Sequence, residues 1–241
     1  MLYDRRFYEA QQDVSLASAR VILPLVTAIT PTTTVVDLGC GVGSWLQAAT
    51  ELGTISVTGI DGDYVSVNEL RISAASFVAA NLERPLPQLS ARVDLAICVE
   101  VLEHISAPAG ERAVEWLCHA APVVLFSAAL PGQGGKNHIN ENWLSHWVER
   151  FEQHDFLPYD LIRPRLWRDQ RVDACYRQNI IIFAERGHPP LARQPPAPLV
   201  SIDVVHPEIF AYHVGRERHF ESARLKERIR RLTRSARLGQ S

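Results

Sequence analysis

"TVVDLGCGVGSW" runs from Thr34 to Trp45. Its first half, TVVDL, is short and apolar and reads as a buried strand. Its second half places Gly39, Gly41 and Gly43 within five positions, directly after that strand. Glycine there frees the backbone to turn and lets a ligand come close to it. The helix that follows, SWLQAATELG, closes on Gly53 and offers its unpaired first N–H groups to the same place.

The neighbouring stretches repeat the pattern. ISVTGID is a second strand, ASFVAAN a short third, VDLAICVE (Val93–Glu100) a fourth and PVVLFSAAL a fifth; QNIIIFAE (Gln178–Glu185) is a late, very apolar one. Helical periodicity marks DVSLASARVILPLVTAI before the first strand, YVSVNELRIS after the second, ERAVEWLCHAA after the fourth, and ENWLSHWVERFEQHD, where Trp143, Trp147 and Phe151 recur every four residues. Near-continuous apolar strands alternating with helices predict βαβ units, right-handed crossovers and a sheet covered on both faces.

The chain has 241 residues, is 46% hydrophobic and has a formal charge of −2. It can bury a full core, and no global field points to nucleic acid. Cys40, Cys98, Cys118 and Cys175 stand far apart, so no zinc or redox motif is expected, and reduced thiols are. No signal-like segment follows the N-terminus. The longest apolar run, Val21–Ile29, holds nine residues and a proline, against about 20 for a membrane span. A cytoplasmic protein without stable membrane insertion is expected.

The expected divisions are an N-terminal helical cap over 1–30, an α/β domain over 31–186, a proline-rich linker over 187–200 and a basic amphipathic extension over 201–241. In the extension, Glu217–Leu238 carries Leu225, Ile229, Leu232 and Ala236 as a narrow seam among Arg and Lys. The seam fits packing on the domain or a homodimer; the basic face leaves attraction to an anionic surface open.

A dinucleotide fingerprint would need glycine at position 44, where Ser44 stands. The pattern is instead D-L-G-C-G-V-G, with Asp61 twenty residues beyond Gly41 at the end of the second strand. A carboxylate there can accept both hydroxyls of a ribose. Glycine turn and acid together ask for an adenosine-like ligand.

"VVDLGCGVGSW", "GIDGD" and "ICVEVLEHI" resemble, in order and spacing, motifs of class I S-adenosylmethionine-dependent methyltransferases over Val35 to Glu185. The resemblance implies a Rossmann-like, doubly wound α/β fold with a mostly parallel seven-stranded sheet and helices on both faces. It implies S-adenosylmethionine as cofactor. It sets Asp37, Gly39, Cys40 and Gly41 toward the amino-acid part, Asp61 with Gly62 toward the ribose, Asn81 with Leu82 toward the adenine, and Glu100 with Val101 along the cofactor. "SLASARVILPLV", "LFSAALPGQGGKNHINENW" and "RPRLW…YRQNIIIFA" are similar to a bacterial subfamily associated with glycan and secondary-metabolite modification.

Methyl transfer to a hydroxyl is helped by a general base. His138, in the glycine-rich PGQGGKNHINENW, and His104, in EVLEHI, follow the fifth and fourth strands and are the catalytic candidates. Alternatively His138 and Asn140 satisfy a loop and cap the next helix, and His104 orients its loop. Arginines around Trp167–Arg177 could grip an acidic acceptor, and Tyr3, Phe7, Tyr8, Gln12 or Ser15 could cover the cofactor. No cluster of oxygen ligands stands out near these strand ends, so no metal is expected. The expected function is methylation of a small-molecule acceptor, O-methylation of a sugar or natural-product hydroxyl foremost. N- or carboxyl-methylation and a non-catalytic scaffold remain alternatives. Neither an NPPY-like element nor a basic stripe with interleaved aromatics crosses the domain, so nucleic acid is not an expected partner.

Overall fold

Residues that alternate between two buried faces make the sheet. In the computed structural model, which describes residues 5–215 and only the backbone of 5–13, the strands are β1 (Thr34–Leu38), β2 (Ser56–Asp61), β3 (Phe77–Ala79), β4 (Leu95–Val99), β5 (Val123–Ser127), β6 (Phe156–Tyr159) and β7 (Ile181–Glu185). They form one seven-stranded sheet of order β3-β2-β1-β4-β5-β7-β6. β3 through β5 in that order are parallel, and β7 is antiparallel to both its neighbours. The topology matches the fold expected from the sequence.

Side chains of successive strand residues leave on opposite faces. Val36, Leu38, Ala96, Cys98, Val124, Phe126, Ile181 and Phe183 enter one core with α3 (Ala107–Ala120) and α4 (Leu144–Glu152). Val35, Leu95, Ile97, Val123, Leu125 and Ile182 enter the other with α1 (Arg5–Thr27) and α2 (Ser44–Glu51). On the first face Phe151 stacks on Phe183, centroids 3.9 Å apart, while Phe126 meets both rings edge-on at 5.4 and 5.7 Å. Such pairs contribute about 0.5–1.5 kcal/mol each beyond burial. They explain why Trp147 and Phe151 recur at helical spacing.

Two stretches depart from the sequence reading. YVSVNELRIS is not an α-helix: only Val67–Glu69 makes a 3-10 turn, and its residues stay largely exposed. Valine and serine have modest helix propensity, and the stretch carries no apolar stripe to bury. The segment before β7 holds two short helices, α5 (Arg163–Leu166) and α6 (Ala174–Asn179), so Gln178 and Asn179 end a helix instead of starting the strand. Arg163 is buried there. It pairs with Asp160 at 2.7 Å and donates to the carbonyls of Gln178 and Ile202.

Met1–Val204 form one compact unit, and Val205–Ser241 a second, described as far as 215. The proline-rich stretch runs along the first unit: Leu191 is fully buried and Ala197 N–H donates to the Pro158 carbonyl. The basic helix expected over Glu217–Leu238, with its dimer seam, lies outside the described residues. Among the described residues no helix is long and apolar enough to cross a membrane.

β1 sits where the strand order reverses, with β2 on one side and β4 on the other. Ligands of such sheets bind outside the carboxyl ends of the strands at that point. Gly39 turns the chain there with φ +78°, and a Cβ on it would lie 2.4 Å from the Val101 side chain. Gly53 has φ +94° but open space around it. Gly39→Ala therefore lowers stability in urea unfolding by at least about 2 kcal/mol, strain and overpacking adding. Gly53→Ala loses only about 1–2 kcal/mol.

Candidate functional site

The glycine turn is clamped to β2 before any ligand arrives. Gly39 and Cys40 donate their N–H groups to the Ile60 carbonyl at 2.8 and 3.2 Å. Gly41 N–H donates to Asp61 Oδ2 at 2.7 Å, and Gly62 N–H to Asp61 Oδ1 at 2.6 Å. Gly41 and Gly43 also have positive φ, and space is open where a Cβ of Gly41 would stand. The turn thus presents bare backbone to the rim. Trp45 does not block it: the ring is buried beside α1 and meets Tyr176 edge-on at 5.3 Å.

Asp37 is buried beneath this turn with Oδ2 unpaired. Burial, and then the nearby Asp61 carboxylate, push its carboxyl well up. A buried acceptor without a partner, close to the Asp61 carboxylate, makes a place that favours a cation or a hydrogen-bond donor. Cys40 is buried, its thiol also pushed up by burial, and its sulfur packs against Gly59. It shapes the turn.

Register carries the next residues to the same rim. Asp61 pairs with Ala79 across β2 and β3, which puts Asn81 just beyond. Asn81 is exposed and its Oδ1 accepts from Glu83 N–H at 2.9 Å, while Leu82 packs against the core. Tyr64 had no signal in the sequence reading. Its hydroxyl donates to Asp61 Oδ1 and its ring lies against Gly62, where a Cβ would be 2.1 Å from it. The Tyr64 residue is nonetheless 79% exposed, so this cover is a surface side chain held at its tip.

The rim continues at the ends of β4 and β5. Val101 fills the space beside Gly39. Glu100 has φ +55°, a strained conformation for a side-chain-bearing residue. Its backbone N–H donates to Ser127, and its carboxylate accepts from Gln133 Nε2 and Asn179 Nδ2, each at 3.0 Å. Burial nevertheless pushes the carboxyl up, against those bonds. Asn179 also donates to Gln133 Oε1 at 2.9 Å, as does Gln178 at 3.2 Å. These three amides were missed by sequence reasoning, which had Gln178 and Asn179 in a strand. The signal available was a polar pair, Gln-Asn, at the mouth of an apolar run.

The loop after β5 is tied together by one carboxylate. Glu141 accepts from Gly132 and Gly134 N–H groups at 2.7 and 2.9 Å and pairs with His138 Nδ1 at 2.8 Å. Partial burial pushes Glu141 up, but the three bonds outweigh it and hold it below the ordinary range. Ile139 and Asn140 N–H groups donate to the Glu103 carbonyl, and Asn140 Nδ2 to that of Leu102. Asn140 thus braces this loop on the β4 end instead of capping α4, whose first flanking residue is Trp143. The rings of His138 and His104 consequently meet, centroids 4.7 Å apart and nearly perpendicular. Burial of its inner part, then His138, push His104 down, so its neutral form is favoured.

Other candidates lie apart from this rim in chemistry. Ser15 Oγ is 3.0 Å from the Tyr176 hydroxyl. Arg171 pairs with Asp169 at the surface, and Arg177 is buried and donates to the Trp167 carbonyl. The side chains of Tyr3, Phe7, Tyr8 and Gln12 lie outside the described residues.

Residues 35–120, from β1 to the end of α3, match the model of a family described as a methyltransferase domain. That match covers just over a third of the chain. The chain's fold is shared, at low identity, with solved structures of S-adenosylmethionine-dependent methyltransferases. Human N-acetylserotonin methyltransferase in complex with S-adenosylmethionine is 17% identical with a TM-score of 0.50, over 74% of this chain and 55% of that one. Magnesium protoporphyrin IX methyltransferase from Synechocystis, also with bound S-adenosylmethionine, is 18% identical with a TM-score of 0.50, over 73% and 79%. An O-methyltransferase family protein from Burkholderia thailandensis is 14% identical with a TM-score of 0.51, over 76% and 60%. The chain thus spans little more than half of the human and Burkholderia proteins. A comparison with curated proteins finds no significant match.

The residues at this rim fit that cofactor on their own geometry. Space stands open at Gly41, an unpaired buried acceptor waits on Asp37, and Asp61 is already oriented by two peptide N–H groups. A sulfonium and an ammonium suit the paired carboxylates, and a ribose suits Asp61.

Two measurements check this site. By calorimetry, Asp61→Ala weakens S-adenosylmethionine at least tenfold, whereas Tyr64→Phe, which removes the hydroxyl that competes for Asp61, tightens it by up to about fivefold, the worth of one hydrogen bond. Hydrogen exchange reads the loop: Glu141→Ala accelerates exchange at the Gly132 and Gly134 amides, leaving β4 and β5 protected.

Proposed function

We propose that the chain is an S-adenosylmethionine-dependent methyltransferase that acts on a hydroxyl of a small molecule, a sugar or natural product foremost. One observation carries this reading: a glycine turn clamped to a ribose-competent carboxylate shares its rim with a histidine pair braced from two loops.

Bound at this rim, the cofactor supplies an electrophilic methyl on a sulfonium. The protein has to hold and align the two reactants, which can contribute on the order of 7–11 kcal/mol. Asp37, Gly39, Cys40 and Gly41 would take the amino-acid end, Asp61 and Gly62 the ribose, Asn81 and Leu82 the adenine, and Glu100 and Val101 the wall between. Because Asp61 and the turn are bonded to one another beforehand, little ordering remains to be done on binding.

His138 and His104 are the proposed acceptor-side residues. A carboxylate only accepts hydrogen bonds, so the proton of the His138–Glu141 bond sits on Nδ1. That makes Nε2 the His138 nitrogen proposed to serve the acceptor. Two further points favour a small molecule. The structural relatives named above carry small-molecule acceptors in two of their names, N-acetylserotonin and magnesium protoporphyrin IX. The rim itself is lined by amides and histidines, suited to hydroxyl-bearing acceptors.

His138→Ala separates acceptor from cofactor. Turnover on a panel of sugar and phenolic hydroxyl acceptors falls by about 10²–10⁴-fold, while calorimetric affinity for S-adenosylmethionine is unchanged. Equal turnover would return His138 to holding its loop.

A further inference from the structure

Glu103 is fully buried, and neither of its carboxylate oxygens has a hydrogen-bond partner. The peptide N–H groups of Glu103 itself and of Ala129 lie on its side without reaching bonding geometry. A buried carboxylate left this way is costly, and native interiors rarely leave one without a reason. The reason has to come from what the side chain faces.

It faces the two histidines. One oxygen of Glu103 and one ring nitrogen each of His104 and His138 lie within 4.8 Å of one another. The two rings stand nearly perpendicular, centroids 4.7 Å apart. Bonds of about 2.1 Å to one ion bring its donors to roughly 3–3.5 Å, so the widest pair closes by at most about 1–2 Å. His104 ends the 3-10 turn Leu102–His104, whereas His138 sits on the loop after β5, which can supply that movement.

The supporting bonds are those a ligating histidine uses. Glu141 fixes His138 from Nδ1 at 2.8 Å and leaves Nε2 to bind; a ligating imidazole is ordinarily oriented by a carboxylate on its other nitrogen. The carbonyl of Glu103 receives Ile139 and Asn140 N–H groups at 2.9 and 3.1 Å, so the peptide that carries one donor pins the loop that carries another. Gly135 lies against the His138 ring, where a Cβ would be 2.2 Å from Nε2. The carboxylates of Glu100 and Glu141 also lie within electrostatic reach of Glu103. Excess negative charge around two imidazoles suits a dication.

We propose that Glu103, His104 and His138 bind a divalent first-row transition ion. Two imidazoles and one carboxylate favour zinc, manganese or cobalt over the all-oxygen preference of magnesium and calcium. This departs from the expectation of no metal, under which His104 and His138 without nearby cysteines make a poor zinc pair and Glu100, Glu103 and Glu141 form no oxygen cluster. Three protein donors leave positions open to an acceptor oxygen, and with the ion bound Nε2 of His138 is a ligand and no longer a base; that use rests on the proposed function, whereas ion binding does not.

The test uses the full chain without a histidine tag, stripped with EDTA. Calorimetry and equilibrium dialysis with ZnCl2, MnCl2 and CoCl2, beside MgCl2, give one ion per chain for at least one of the three transition ions. Cobalt bound at the site adds visible absorption bands. Glu103→Gln and His138→Ala each weaken that ion at least tenfold, with S-adenosylmethionine affinity unchanged. Should Glu103→Gln fail to fold by circular dichroism, His138→Ala and His104→Ala decide. No stoichiometric binding of zinc, manganese or cobalt, or binding that survives the substitutions, overturns the site. A chain that binds the ion but not S-adenosylmethionine keeps this site and loses the cofactor reading instead.

Discussion

The Asp61 carboxylate is the constraint on which the cofactor half depends. It is the last residue of β2, yet it receives N–H groups from Gly41 in the neighbouring turn and Gly62 beyond itself. Hydrogen bonds to a charged group contribute about 1.5–3 kcal/mol each, enough to hold a glycine turn that has little stiffness of its own. Without that tie the three glycines would be free to sample many conformations. With it, the turn is rigid and still bare. A single side chain thus resolves the conflict between a backbone that must be accessible and one that must be ordered.

The second half of the rim is held differently. Glu141 gathers the glycines of the loop after β5, Glu100 at the end of β4 accepts from its Gln133, and the Glu103 carbonyl receives its far end. Glu100 is fixed in a strained backbone by the amides of Gln133 and Asn179. Buried polar networks of this kind specify one arrangement when every member is satisfied. The exceptions, the unpaired oxygens of Asp37 and Glu103, fall on the cofactor side and the acceptor side of the same rim. The chain spends stability at the two points where a cation is proposed to sit.

The fold was legible because its signals are local and repeated. Near-continuous apolar runs in TVVDL, LAICV and VVLFS, alternating with helices and with glycines after the first, are enough to predict a parallel sheet and a switch point. Asp61 was readable from its distance to Gly41. What escaped needed long-range contacts. Gln133, Gln178 and Asn179 are ordinary polar residues until α6 brings the last two to the first. Glu103 carries no pattern of its own in EVLEHI; the 138–141 loop, whose N–H groups bond its carbonyl, docks on the peptide that holds it buried. Tyr64 was invisible because a lone exposed tyrosine carries no pattern. The YVSVNELRIS helix was misread for the opposite reason: periodicity was assigned to a segment with nothing to pack against.

The reversal of β7 reaches further than the sheet. Because Ile181 pairs with Phe126, near the carboxyl end of β5, and Ile182 with Tyr159 at the close of β6, the whole passage from 160 to 180 is delivered to the edge where parallel strands finish. An all-parallel sheet would carry such a passage to the opposite edge. Replacements between 160 and 180 therefore bear first on the proposed acceptor side, and reach the proposed nucleoside side chiefly through Tyr176, which meets Trp45 behind the glycine turn.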